Sequence, residues 1–177
     1  QPGEAAQQKK KPAGKSDGML RFGFIGTGSR CQEHINNVLG IQGNKIVAIC
    51  DIQKGPLEKT LKHIAKFNVP EPKVYTGGER EFEMLNNEEF DCVIIASPWE
   101  WHVPMAVAAM KAGVPYVGVE VSAANTVEEC WDLVNVSEAT GSQLNILENV
   151  CYRRDVMAAL RMVREGLFGE MIHGTCG

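Results

Sequence analysis

The chain has 177 residues, a net charge of −4, and 44% hydrophobic and 23% charged residues, which is ordinary for a soluble globular protein with one real core. The acidic balance and the lack of a basic aromatic patch give no reason to expect nucleic acid as a partner. No apolar run approaches the roughly 20 residues needed to span a bilayer.

Residues 1–18 contain no Leu, Ile, Val or aromatic residue. Such a segment cannot bury enough to offset its ordering entropy and reads as a disordered tail, with Lys9-Lys10-Lys11 solvated. The chain starts with Gln rather than Met, and a flexible lead often follows a removed export signal. A periplasmic or exported protein is therefore expected rather than a cytoplasmic one. The six cysteines, at 31, 50, 92, 130, 151 and 176, include no Cys-x-x-Cys pair and match no metal site, so neither a disulfide framework nor a bound metal is expected.

From Met19 onward strands and helices alternate. The run Leu20 to Ile25 ends in Gly26-Thr27-Gly28, and a helix-compatible segment, Cys31 to Leu39, follows at once with Ile35, Val38 and Leu39 on one face. This is the strand, tight turn and helix start of a dinucleotide-binding unit. Gly26 permits the turn. Gly28 lets a pyrophosphate approach the backbone at a helix N-terminus. Cys31 stands where the third glycine of the pattern is usual and, being small, preserves close packing.

The second strand, Lys45 to Cys50, closes on Asp51, a little over 20 residues after the glycines. An acid there accepts hydrogen bonds from a ribose and repels a 2′-phosphate, so NAD is expected over NADP, although the neighbouring Arg30 could accommodate that phosphate. The competing reading of Asp51 is a solvated strand end.

A helix follows over about 56–67, with Leu57, Leu61, Ile64 and Ala65 inward. Next come a short strand at Lys73-Val74-Tyr75 and a short helix over 79–87 carrying Phe82 and Leu85. Asp91 to Ala96 is a continuous apolar run, the mark of a parallel strand buried on both faces. Val103, Ala106, Val107 and Met110 mark a helix that stops at Gly113, and Pro115 to Glu120 is the fifth strand. Thr126 and Glu129 form a capping-box pattern before a helix whose apolar face is Val127, Cys130, Trp131 and Val134, with Trp131 expected in the core. Gln143 to Leu147 is the sixth strand. A helix from about Arg153 to Glu165 should turn Val156, Leu160, Val163 and Leu167 inward, and a further strand should begin over 170–175. The alternation predicts an α/β protein with a Rossmann-type, doubly wound parallel sheet.

With Gly26-Thr27-Gly28, Asp51, and Ser97-Pro98 followed by His102, the chain resembles the Gfo/Idh/MocA oxidoreductase superfamily over residues 19–177. More narrowly, Gly26 to Arg30, Trp99-Glu100-Trp101-His102, Glu120-Val121, Thr126 to Trp131 and Glu148 to Arg154 look like glycoside hydrolase family 109. That family comprises NAD-dependent, retaining glycosidases with α-N-acetylgalactosaminidase as the named activity. Beyond the tail at 1–18, the resemblance implies an NAD-binding domain at 19–150 and, at 151–177, the start of a truncated α+β substrate domain. A family member's second domain builds the sugar pocket and often the oligomer interface, so a small-molecule sugar substrate and a homo-oligomer through that domain are expected.

The chemistry so implied is oxidation–elimination. Hydride leaves C3 of the sugar to NAD, the resulting ketone acidifies the C2 proton, a base removes it, the glycoside is expelled, water adds and the hydride returns. The superfamily's dehydrogenases usually carry Glu-Lys-Pro after the fifth strand. Here the tripeptide is Glu120-Val121-Ser122, and Val121 can neither transfer a proton nor polarise a hydroxyl. By motif, Ser29, Arg30 and Asp51 would contact the adenosine and phosphate part. Ser97, Trp99, Trp101 and His102 would line the cofactor cleft, Glu120 and Val121 would sit beside the nicotinamide ribose, Asn149 close to the ring, and Tyr152 at the rim near substrate. The plainer readings stay open: His102 as a helix start, Trp99 and Trp101 as anchors for the second domain, Tyr152 as interdomain packing. No residue is assigned as general base, which the resemblance places in the second domain. A sugar or inositol dehydrogenase, and a non-catalytic binding protein on a Rossmann scaffold, are the alternative functions.

Overall fold

The computed structural model describes residues 18–78 and 80–175; the tail residues 1–17 and Cys176 lie outside them. The chain divides into two compact units, one running to Ile146 and one from Leu147.

The first unit is a six-stranded sheet of β1 (Leu20–Ile25), β2 (Asn44–Asp51), β3 (Lys73–Thr76), β4 (Cys92–Ile95), β5 (Tyr116–Val119) and β6 (Gln143–Ile146) in the order β3-β2-β1-β4-β5-β6. Every pairing is parallel. Five helices connect the strands: α1 (Ser29–Gly40), α2 (Lys54–Ile64), α3 (Arg80–Asn87), α4 (His102–Lys111) and α5 (Val127–Thr140). A right-handed crossover from β1 to β2 and another from β4 to β5 run in opposite directions across the sheet, so their helices cover opposite faces. Accordingly α1 packs with α2, while α4 packs with both α3 and α5.

Alternation along the central strands supplies both layers. In β1, Phe24 and Ile25 are both buried and point to opposite faces. Ile25, Val93, Ile95, Val117 and Val119 meet Met84, Val103, Ala106, Met110 and Leu133 in one core cluster. On α1, Cys31, Ile35 and Val38 are buried, as are Leu57 and Ile64 of α2. Met84, fully enclosed, outranks the predicted Phe82 as the anchor of α3, and Ala65 is exposed. Burial pushes the thiols of Cys31, Cys50 and Cys92 up to about 12, so they are protonated apolar fillers at neutral pH. All described cysteines are free.

Three expectations are corrected. The α5 capping box forms, with Thr126 Oγ1 accepting from the Glu129 N–H and Glu129 accepting from the Thr126 N–H. Its apolar stripe, however, faces outward: Trp131 is 62% exposed, Val127 and Val134 are exposed, Cys130 likewise, and only Leu133 is buried. Helical spacing says which residues share a face but not which face meets the sheet; α5 packs on α4 through Leu133. The second unit holds a single turn at Val150–Tyr152 and helix α6 (Arg154–Arg164). Val156, Leu160, Val163 and Leu167 are exposed rather than inward, because α6 has no second layer within its own unit to lie on. Residues 170–175 form no strand.

At the centre of β1, Gly23 is required by packing. A Cβ there would stand 2.6 Å from the buried ring of Phe90. Gly23→Ala should therefore destabilise the domain by about 1–3 kcal/mol through overpacking, and adding Phe90→Leu should recover part of the loss, as read by urea denaturation midpoints.

Candidate cofactor site

The C-terminal ends of the strands are tied in register around the point where strand order reverses. The Gly26 N–H donates to the Cys50 carbonyl at 2.9 Å, the Ala96 N–H to Ile25 at 2.8 Å, and the Glu120 N–H to Ile95 at 3.0 Å. Gly26 has φ +84°, and a Cβ on it would lie 2.6 Å from the Ala96 carbonyl oxygen. Conformation and close approach both demand glycine. Gly28 is different: its φ is −65°, and a Cβ there would meet nothing within 4 Å. It fronts open space at the N-terminus of α1, where no side chain caps the helix and the first turn carries no acid. The unpaired N–H groups and the positive end of the helix dipole are thus available to an anion.

Thr27, between the two glycines, is 1% exposed and held from both sides. Its N–H and Oγ1 both donate to Asp51 Oδ2, at 2.7 and 2.8 Å. Its carbonyl accepts from Thr60 Oγ1 at 3.3 Å and weakly from Gln32 Nε2 at 3.4 Å, while Gln32 donates to Thr60 Oγ1 at 2.5 Å. The other Asp51 oxygen accepts from the Gln53 N–H at 2.8 Å. Asp51 is therefore no solvated strand end; it braces the glycine turn.

A cleft of about 620 Å³ opens above these strand ends. Of the sequence-selected residues, Gly26, Gly28, Asp51, Ser97 and Trp101 line it together, joined by Ile52, Gln53, Glu81 and Met105, which sequence reasoning missed. Trp99 is 61% exposed and stands outside this lining. His102 also departs from the expectation: it is fully buried at the start of α4, with Nε2 2.8 Å from the Ser97 carbonyl oxygen and Nδ1 2.6 Å from that of Ser122. Its side chain ties together the loops after β4 and β5 rather than facing the cleft. The helix-start reading gives its place but not this contact.

Ser29 is the exposed first residue of α1. Arg30 points away from the ribose side. Its Nε donates to Glu120 Oε1 at 2.7 Å, and it also pairs with Glu33. His34, one helical turn further on, lies 2.6 Å from the same Glu120 oxygen. The i, i+4 spacing of Arg30 and His34 was the available signal for this cluster. The alternative of Arg30 accommodating a 2′-phosphate is not favoured, because Glu120 and Glu33 already engage its guanidinium. Glu120 is buried below the strand end and Val121 is half exposed beside it, their side chains outside the cleft lining. Asn149 precedes the single turn of the second unit and Tyr152 ends it, Tyr152 exposed. Among the described residues, no three His, Cys, Asp or Glu side chains gather as metal ligands, and no helix is long and apolar enough to cross a membrane.

A doubly wound sheet with a glycine turn, an open helix N-terminus and an acid closing β2 defines a dinucleotide-binding domain. The chain belongs to the Gfo/Idh/MocA oxidoreductase family: residues 20–147 match the profile described as oxidoreductase family, NAD-binding Rossmann fold. Its cofactor is NAD. Residues 152–177 match the glycosyl hydrolase 109 C-terminal domain. The chain is 99% identical to an α-N-acetylgalactosaminidase of Tannerella forsythia, covering all of this chain and 38% of that protein. It is 43% identical to an α-N-acetylgalactosaminidase of Shewanella oneidensis, over 88% of this chain and 34% of that one. The chain thus spans well under half the length of these relatives. A scyllo-inositol dehydrogenase from Lactobacillus casei, solved with NAD(H) and scyllo-inositol, shares the fold at a TM-score of 0.74 and 19% identity, over 86% of this chain and 43% of that one.

The open space at Gly28 over an uncapped helix fits a pyrophosphate. Gly28→Val should leave melting and circular dichroism unchanged while abolishing NAD binding by calorimetry, whereas Gly26→Ala should lower the melting temperature itself. Glu120 yields a pH prediction. Burial pushes its carboxyl up, but hydrogen bonds from Arg30 and His34 outweigh this and hold it below the ordinary 4.5. The stability it contributes is present above that value and lost as pH falls through the lower folded value. Between about pH 5 and pH 3, the stability of Glu120→Gln should fall less steeply than that of the parent, as followed by denaturant midpoints.

Proposed function

We propose that this chain is the NAD-binding part of a retaining, NAD-dependent glycosidase acting on N-acetylgalactosaminides. The observation that carries the reading is the pairing of a complete cofactor cleft with Glu120-Val121-Ser122 after β5. No proton-transferring side chain stands where the dehydrogenases of the resembled superfamily place their catalytic lysine. The names of the relatives support the same reading.

Gly28 and the first turn of α1 would hold the pyrophosphate, and Asp51 would take a ribose hydroxyl on its remaining acceptor position. Ser97 and Trp101 wall the cleft on the β4 side. Arg30, His34 and Glu120 fix the end of β5, beside which the nicotinamide ribose would be held. When bound, NAD supplies the reversible oxidation of the sugar that makes its C2 proton acidic. The base that removes this proton belongs to the second domain, as does the sugar pocket and any oligomer interface.

The test uses a full-length protein containing this chain. Cleavage of an aryl N-acetyl-α-galactosaminide without net NADH accumulation, with exchange of the C2 hydrogen into deuterated water, is the expected result. Substrate-dependent NADH build-up without cleavage would instead make it a sugar or inositol dehydrogenase. Neither activity, with NAD still bound, would leave a binding protein.

A further inference from the structure

Glu81 is a buried carboxylate to which the family's nucleotide fingerprint assigns no task. It lies in the first turn of α3, is 4% exposed, and lines the cleft with Cys50, Asp51, Ile52 and Met105. No described residue donates a hydrogen bond to it or pairs with it. The described structure nonetheless leaves no fully enclosed side-chain oxygen or nitrogen without a partner. The small exposure that its carboxylate retains is therefore exposure to the cleft. Burying an acid costs heavily unless a donor meets it, and a carboxylate can only accept.

The geometry of the fold says which part of a dinucleotide is near. The pyrophosphate belongs at α1 and the adenosine ribose at the acid closing β2. Glu81 lies on that same side of the sheet switch, because α3 packs on β2 and β3. Cys50, at the end of β2, lines the same part of the cleft as Glu81. The adenosine half offers donors: the 6-amino group of adenine and the ribose hydroxyls. Asp51 cannot take them all. Three of its roughly four acceptor positions are already filled by Thr27 and the Gln53 N–H.

We propose that Glu81 is the second acceptor of the cofactor cleft, taking a hydrogen bond from the adenosine half of NAD. The proposal rests on the assignment of NAD to this cleft. A hydrogen bond to this otherwise unmatched acceptor adds to affinity as well as orientation.

The test is a binding cycle on the full chain by calorimetry. Glu81→Leu should weaken NAD and ADP-ribose alike, by roughly tenfold to a hundredfold, without lowering the melting temperature. Glu81→Gln, which keeps the shape and an acceptor oxygen, should fall between. The hypoxanthine analogue of NAD lacks the amino group, and the 2′-deoxy analogue lacks one hydroxyl. The analogue whose affinity is already reduced in the parent, and which Glu81→Leu weakens no further, identifies the donor that Glu81 meets. Unchanged affinity of Glu81→Leu for NAD would overturn the proposal. So would a loss for NAD that is absent with ADP-ribose, since the effect would then lie on the nicotinamide side. Failure of the parent chain to bind NAD at all would instead count against the cofactor assignment.

Discussion

The hydrogen bonds from Thr27 to Asp51 are the constraint on which the cleft depends. A tight turn that brings two glycines to the end of a strand leaves its central residue buried, with an N–H and a hydroxyl that must be paired. Asp51 Oδ2 takes both. The same carboxylate takes the Gln53 N–H through its other oxygen, so one acid couples the turn after β1 to the chain leaving β2. Gln32 and Thr60 close the other side of Thr27 and bring α1 and α2 into the arrangement. The turn at α1 is thus hydrogen-bonded in place without a ligand, and such pre-organisation lowers the ordering cost of binding.

On the opposite side of the switch the cleft is organised by charge. Glu120 sits at the end of β5 with Arg30 and His34 of α1 on a single oxygen. Its carboxylate stays ionised because those donors outweigh its burial. His102 fastens the loop after β4 to the loop after β5 through two backbone carbonyls. The cleft thus has an anion-seeking floor at α1 and acceptor groups on the β2 side, while the acid after β5 lies outside its lining and is already paired with its neighbours.

Much of this was legible residue by residue. Apolar runs located all six strands of the sheet, the 3.6-residue period located the six α-helices of the described residues, and the capping box at Thr126 formed as read, whereas the short turn at Trp99–Trp101 was not foreseen. Gly26, Gly28 and Asp51 were recognisable because their spacing is local: a turn, a helix start and the next strand's end. Glu81, Thr60 and His34 were not, since their roles depend on which elements come together far apart in the chain. Trp131 shows the limit from the other side. Its place on an apolar stripe was readable, but the stripe faces outward, and amphipathicity carries no information about what covers a face.

The amino-acid sequence by itself determined the alternation of strands and helices, the positions of the glycine turn and the acid, and hence the doubly wound class and its dinucleotide chemistry. These follow from local backbone preference and short-range pattern. Only the tertiary structure decided that Asp51 braces Thr27, that Arg30 turns to Glu120, that His102 lies beneath the cleft instead of in it, and that Glu81 opens into it. Each of those outcomes is a choice among partners for a buried polar group. The nearest available donor or acceptor is fixed by packing between distant segments, which no local pattern encodes.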